Sequence, residues 1–166
     1  AAKLEIENVL NGEEDNPKLY ATLGSLEFQL GLTDKAVEHL RKAVEINGDS
    51  ADFLTRLALA EHEAGNTPNF IEKLDMALEC DPVYVPALKL RGDFNLAASK
   101  FKPAATDYIS IIKVEPENTE AILALGVCFY KTNDLDAAVT TFERVLTINP
   151  DNSLAKENLA AVQKNT

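Results

Sequence analysis

Residues 119–152 read TEAILALGVCFYKTNDLDAAVTTFERVLTINPDN. Apolar and small residues recur at helical spacing on both sides of Asn133–Asp134. Before the break stands Ile122-x2-Leu125-Gly126, and after it Ala138-x3-Phe142-x2-Val145. The i, i+3, i+4 and i+7 spacing buries one face of a helix. Pro150 stops the second helix because proline cannot continue the hydrogen-bond ladder. The stretch is therefore two helices and a turn. The same pattern recurs upstream at a period of 34 residues, set by Pro82, Pro116 and Pro150, with Gly48 one period earlier. Small residues keep the period at Gly24, Ala58, Gly92, Gly126 and Ala160. Larger ones keep it at Tyr20, Leu54, Leu88 and Ile122, and at Leu40, Leu74, Tyr108 and Phe142. A fixed period of this length marks one repeated supersecondary unit. Each unit buries its apolar face on the next, so no central core is required.

Composition narrows the partners. The chain has 166 residues, 46% of them hydrophobic, which is ample for stacking units. With 27 acidic and 16 basic residues the formal net charge is -11. Nucleic-acid backbones and anionic membranes are repelled by such a chain, so a basic or apolar protein or peptide fits better. Cys80 and Cys128 stand far apart with no second cysteine near either, so neither a disulfide framework nor a metal site is indicated. Cys128, beside Gly126, reads as a buried thiol. No stretch approaches the roughly 18 apolar residues of a membrane span. No signal-peptide pattern opens the sequence; the compartment stays open, with the cytoplasm favoured.

The remaining periods follow the fourth. The first reads Tyr20-x2-Leu23-Gly24, Ala36-x3-Leu40-x2-Ala43, Gly48. The second reads Leu54-x2-Leu57-Ala58, Phe70-x3-Leu74-x2-Ala77, Pro82, and the third Leu88-x2-Arg91-Gly92, Ala104-x3-Tyr108-x2-Ile111, Pro116. Breaks near Gly31, Gly65–Pro68 and Ser99–Pro103 split each into two helices. This pattern closely resembles the tetratricopeptide repeat, whose signature is W-x2-L-G-x2-Y, A-x3-F and a terminal P. The resemblance covers nearly the whole chain in one register. It implies an all-α fold, a right-handed α-solenoid of antiparallel helix pairs. Three departures stand out. Phe70 sits where alanine is expected, and a ring in a tight crossing costs roughly 1–3 kcal/mol unless neighbours make room, so a shifted helix pair is expected there. Arg91 takes a leucine slot and Glu61 an aromatic one. The two either pair with each other inside or turn their charged ends to solvent.

The register divides the single domain 1–166 into four full repeats, 17–50, 51–84, 85–118 and 119–152. Residues 1–16 read as the second helix of a truncated repeat, with Ala2, Ile6 and Val9 one period before Ala36, Leu40 and Ala43. Self-association through this unpartnered helix is expected. Residues 153–166 read as a capping helix with Leu159, Ala160 and Val162 facing inward, while Lys156 and Gln163 make its outer face polar.

Within the resemblance, first helices line a concave groove. Carried over, the peptide-binding residues are Phe28, Asp52, Thr55, Leu59, His62, Lys89, Asp93, Leu96, Leu123, Val127 and Tyr130. Lys18, Ala21, Ser25 and Glu120 stand beside them. The apolar members supply anchors, and Asp52, Asp93 and Glu120 steer a basic peptide. Chaperone-binding members of the family clamp a C-terminal carboxylate with Lys, Asn and Arg. Here those places hold Ala21, Ser25, Leu59, Lys89 and Asp93, and only Lys89 matches. Sugar-transferase members grip peptide backbone with an asparagine ladder, which here reads Thr22, Arg56, Leu90 and Ala124. Neither mode is expected. His39 and His62 are the only histidines, and neither has a partnered nucleophile. No phosphate loop or metal spacing occurs. The chain reads as a protein-interaction scaffold without enzymatic activity, cofactor or metal. The alternative is a regulatory or substrate-recruiting arm of a larger enzyme such as a glycosyltransferase.

Overall fold

A computed structural model describes residues 16–164. The truncated second helix expected at 1–16 lies outside the described residues, apart from Asn16. Among the described residues there are nine helices and no strand: α1 Pro17–Gln29, α2 Thr33–Ile46, α3 Ala51–Glu63, α4 Thr67–Cys80, α5 Val85–Ala97, α6 Phe101–Val114, α7 Thr119–Lys131, α8 Leu135–Ile148 and α9 Ser153–Gln163. The chain falls into two compact units, one up to Ala87 and one from Leu88.

Short turns fold consecutive helices back on each other, and one backbone device makes the turn within each pair. Gly31, Gly65, Ser99 and Asn133 all have positive φ, from 58° to 84°. After each, an amide reaches back five residues: Leu32 to Glu27, Asn66 to Glu61, Lys100 to Asn95 and Asp134 to Phe129, at 2.8–2.9 Å. This is the left-handed C-terminal closure of a helix, which satisfies otherwise orphaned carbonyls. Glycine enters that conformation without steric cost and asparagine does so often, whereas Ser99 is held there with a Cβ.

In the first unit α1 starts on Asn16, whose side chain accepts from the amides of Lys18 and Leu19, with Pro17 at the first helical position. Ser50 caps α3 in the same way through the amide of Phe53. Ala21, Ala36, Leu40, Ala43, Phe53, Leu57 and Ala60 form a buried cluster joining α1, α2 and α3. Phe70 is accommodated at 3% exposure, with His62 stacked over its ring at 4.5 Å between centroids. The ring is thus buried, with the exposed imidazole stacked on it.

In the second unit one cluster holds Ala138, Phe142 and Val162, with Leu123, Val127 and Tyr130 packed against it. Another holds Ile122, Val145 and Ala155. Asn118, Asp134 and Asn152 cap α7, α8 and α9 through the amides of Ala121, Ala137 and Ala155. On α9, Ala155 and Val162 are fully buried, Leu159 is half-buried, and Ala160 is exposed. The expectation that Ala160 faces inward is corrected. Its counterparts Gly24, Ala58, Gly92 and Gly126 are buried, whereas among the described residues no helix follows α9 to close over this slot.

Candidate functional site

The first helices carry the residues that the repeat register points outward. In the first unit these are linked by hydrogen bonds. Ser25 Oγ donates to the carbonyl of Ala21 at 2.8 Å and accepts from Arg56 at 3.0 Å. Arg56 Nε donates to Asp52 at 2.8 Å, and the Tyr84 hydroxyl donates to the same carboxylate oxygen at 3.1 Å. The charge of Asp52 is therefore matched inside the protein. Burial raises the Tyr84 phenol above its ordinary value, and the negative charge of Asp52 adds to the effect. Leu59 is half-buried on the same helix. Phe28 is half-buried against the α1–α3 cluster, and exposed His62 lies over Phe70. Thr55 is only 6% exposed, with its hydroxyl donating to the carbonyl of Ala51 at 2.7 Å, so it offers no surface to a ligand.

In the second unit Lys89 bridges two helices, lying 3.0 Å from Asp93 on its own helix and 3.6 Å from Glu120 on α7. Asp93 also accepts from the buried Tyr108 hydroxyl at 2.8 Å. A cavity of about 20 Å³, water-sized, lies among Lys89, Asp93, Tyr108, Ala121 and Ala124. The hydrogen bond from Lys89 to Asp93 raises the lysine's pKa above its ordinary value. Along α7, Leu123, Val127 and Tyr130 are half-buried at helical spacing, and the Lys131 ammonium sits 5.9 Å from the Tyr130 ring centroid. Leu96 is half-buried on α5.

Among the described residues three carboxylates are buried, two of them held by an arginine and one against a histidine. Arg91 holds Asp107 through Nε and a terminal nitrogen, the shortest contact being 2.6 Å. Arg41 holds Glu61 at 2.8 Å, and His39 Nδ1 lies 2.6 Å from Glu27. Glu61 is 2% exposed, so it does not turn to solvent, and its bonded cation is Arg41. Glu27 occupies the same repeat position as Glu61, and its burial was not read from the sequence.

Among the described residues no group of three or more His, Cys, Asp or Glu side chains could hold a metal ion. No helix of the described residues is long and apolar enough to cross a membrane. Burial pushes the Cys128 thiol up to about 11 and raises the Tyr108 phenol, whose bond to Asp93 adds to the shift. All three raised acids, Cys128, Tyr84 and Tyr108, favour the neutral form when folded. Their contribution is complete below the unfolded values, 9.0 for the thiol and 10.0 for the phenols, and is lost as pH rises beyond them. Stability to urea is expected to decline above about pH 9, less steeply in Tyr108→Phe. An alkaline decline of equal slope in that variant would discount Tyr108.

Two tetratricopeptide repeat profiles match the chain, one over residues 17–61 and one over 88–162. The chain belongs to the tetratricopeptide repeat family. Among curated proteins, BBSome complex member BBS4 of Bos taurus is 28% identical over 138 residues, covering 79% of this chain and 25% of that protein. Protein O-mannosyl-transferase Tmtc3 of Drosophila melanogaster is 26% identical over 143 residues, covering 86% of this chain and 15% of that protein. This chain thus spans a quarter or less of the length of these two relatives. Among solved structures, YrrB, described as a TPR protein with an unusual peptide-binding site, superposes with a TM-score of 0.85 at 16% identity. That likeness covers 96% of this chain and 82% of YrrB, and at this identity it shows the shared fold.

Within this tetratricopeptide repeat chain the outward polar residues are not independent contacts. Asp52 and Asp93 are each held by a tyrosine and a cation, and the holders Arg56, Tyr84 and Tyr108 were not singled out from the sequence as part of the site. One signal was available. Tyr108 sits in a buried slot filled elsewhere by Leu40, Leu74 and Phe142, and a buried phenol requires a hydrogen-bond acceptor.

Proposed function

We propose that the chain is a protein-interaction scaffold whose first helices bind a peptide or partner segment, with 17–50, 51–84, 85–118 and 119–152 acting as its repeats. The family supports the scaffold reading. The observation that carries the binding face is the row of half-exposed Leu123, Val127 and Tyr130 on α7, next to charges already matched within the protein. Apolar side chains left partly open beside satisfied polar ones are where a partner gains most from excluding water. Leu59 and Leu96 supply the equivalent apolar surface on α3 and α5. Both histidines have structural contacts, His39 with Glu27 and His62 with Phe70, which supports a chain without its own catalysis. A recruiting arm of a larger enzyme would use the same surface, and no contact in the structure favours it.

The test starts from a peptide selected by random display against the purified chain. Tyr130→Ala and Leu59→Glu are expected to weaken that peptide by about 1–3 kcal/mol, the scale of a moderate hot spot. Glu143→Ala, an exposed change on α8, is the control. Equal losses at Tyr130 and Glu143, or none at Tyr130 and Leu59, would show that the peptide binds elsewhere.

A further inference from the structure

The second helix of each repeat turns the same four register positions to solvent. On α6 they hold Lys102, Thr106, Ile109 and Lys113, all exposed, at i, i+4, i+7 and i+11. They lie opposite the buried Ala104, Tyr108 and Ile111. The place of Ile109 is held by Arg41, Asp75 and Glu143 on α2, α4 and α8, and that of Lys113 by Glu45, Glu79 and Thr147. Each of those three helices carries at least two exposed carboxylates on this stripe, whereas α6 carries none.

The apolar member of the stripe is a separate observation. Ile109 is 39% exposed in the middle of α6, while the other exposed large apolar side chains among the described residues lie at helix ends or in turns. The lysines beside it are not answered within the protein. Asp107, the one carboxylate of α6, is buried and held by Arg91. Among the described residues of the second unit the cations in ion pairs are Lys89, Arg91 and Lys156, so Lys102 and Lys113 stay open, as does Lys100 just before α6. Glu115 and Glu117 lie past the end of the helix, in the turn, where Glu115 accepts from the Asn118 side chain at 2.7 Å. Thr106 donates to the Lys102 carbonyl at 3.2 Å and so uses its hydroxyl inside the helix. Lysine stems pack on apolar surface while their heads reach for acids, so this stripe matches a carboxylate–apolar–carboxylate surface.

We propose that the outward face of α6 is a second docking surface and that it takes an acidic segment of a partner protein. That segment sets a large apolar side chain on Ile109, between carboxylates about 16 Å apart that meet Lys102 and Lys113. The assignment rests on the scaffold reading but not on the first-helix face being the peptide site. The net charge of the whole chain does not oppose it. From Leu88 onward there are ten acidic and nine basic residues, and at 0.1 M salt charges more than about 10 Å away are largely screened. A nucleic acid, charged densely and evenly, has no side chain to set on Ile109 and meets the other acids of the unit.

The probe is a fluorescein-labelled helical peptide of alanine and glutamine, with glutamates near both ends and one central leucine. Its counterparts carry lysine for glutamate or alanine for leucine. Binding is followed by fluorescence anisotropy, and the helicity of each variant by circular dichroism. The double variant Lys102→Gln, Lys113→Gln is expected to weaken the acidic peptide about tenfold, and Ile109→Ala about fivefold. The peptide without leucine should bind the parent and Ile109→Ala alike, because the contact is already gone. The charge-matched double Lys156→Gln, Lys164→Gln, exposed on α9 and at its end, should change binding less than about twofold. Lys102→Arg, Lys113→Arg should keep it, and the lysine peptide should not bind. A display-selected peptide that depends on Tyr130 should not displace the acidic one, so the two surfaces stand or fail separately. Equal weakening by both glutamine doubles would reduce the effect to net charge and overturn the site. So would the absence of saturable binding, unchanged binding in the α6 variants, or displacement by the Tyr130-dependent peptide. Displacement by single-stranded DNA as readily as by unlabelled peptide would mark a general polyanion surface and overturn it as well.

Discussion

Arg91→Met is expected to lower the stability of the second unit by about 3–5 kcal/mol, toward the lower figure. The reason is the carboxylate it leaves behind. Asp107 is 2% exposed, and Arg91 grips both of its oxygens, with contacts of 2.6–3.3 Å. Without the guanidinium, Asp107 either keeps an uncompensated buried charge or takes up a proton, and both cost stability. The side chain of Arg91 is 27% exposed, so water partly reaches the site and moderates the loss. The slot itself has no need of arginine, since Leu23, Leu57 and Leu125 occupy it in the other periods. The double variant Arg91→Leu, Asp107→Ala is therefore expected to recover most of the loss, because replacing a buried pair by apolar side chains is often neutral or stabilising. Urea unfolding followed by circular dichroism measures both, with the two units fitted as separate transitions where they separate. A single variant within about 1 kcal/mol of the parent would mean that the pair is too hydrated to matter.

The second large effect is steric. A Cβ added at Gly126 would lie 2.5 Å from Cε1 of Phe142, with two further ring atoms at 2.9 and 3.0 Å. Phe142 is fully buried, so its ring has nowhere to retreat. Gly126→Ala is expected to cost about 1–3 kcal/mol through overpacking. This outweighs the ~1 kcal/mol that alanine contributes over glycine in a helix interior. The chain holds its own rescue: in the first unit Ala58 stands in the same slot as Gly126, and Leu74 in the same slot as Phe142, all of them buried. Adding Phe142→Leu to Gly126→Ala should restore part of the stability. Gly48→Ala is the control, since its added Cβ meets nothing closer than 3.6 Å. A Gly126→Ala protein as stable as the parent would show that the α7–α8 crossing opens without cost.

The helix pairs were legible because apolar burial imposes a helical spacing that any reader of the sequence can count. Gly31, Gly65, Ser99 and Asn133 were legible as breaks, and their shared left-handed conformation explains why two of the four are glycine. The outward face was legible only in part. Thr55 has an outward register position but a buried side chain, because its hydroxyl bonds the Ala51 carbonyl and the helix around it packs closely. His62 was singled out as a contact for a ligand, and its stacking on Phe70 reflects an oversized residue eight positions later.

From the sequence by itself came the period, the all-helical class, the small-residue slots and the tetratricopeptide resemblance, all of which follow from spacing along one chain. Only the tertiary structure decided the charges. Arg91 chose Asp107, Arg41 reached Glu61 on the following helix, and Glu27 was buried against His39. Periodicity states which face of a helix a residue occupies. It does not state which of several nearby charges lies within about 3 Å, and pairing energy depends on that distance and on the water excluded around it.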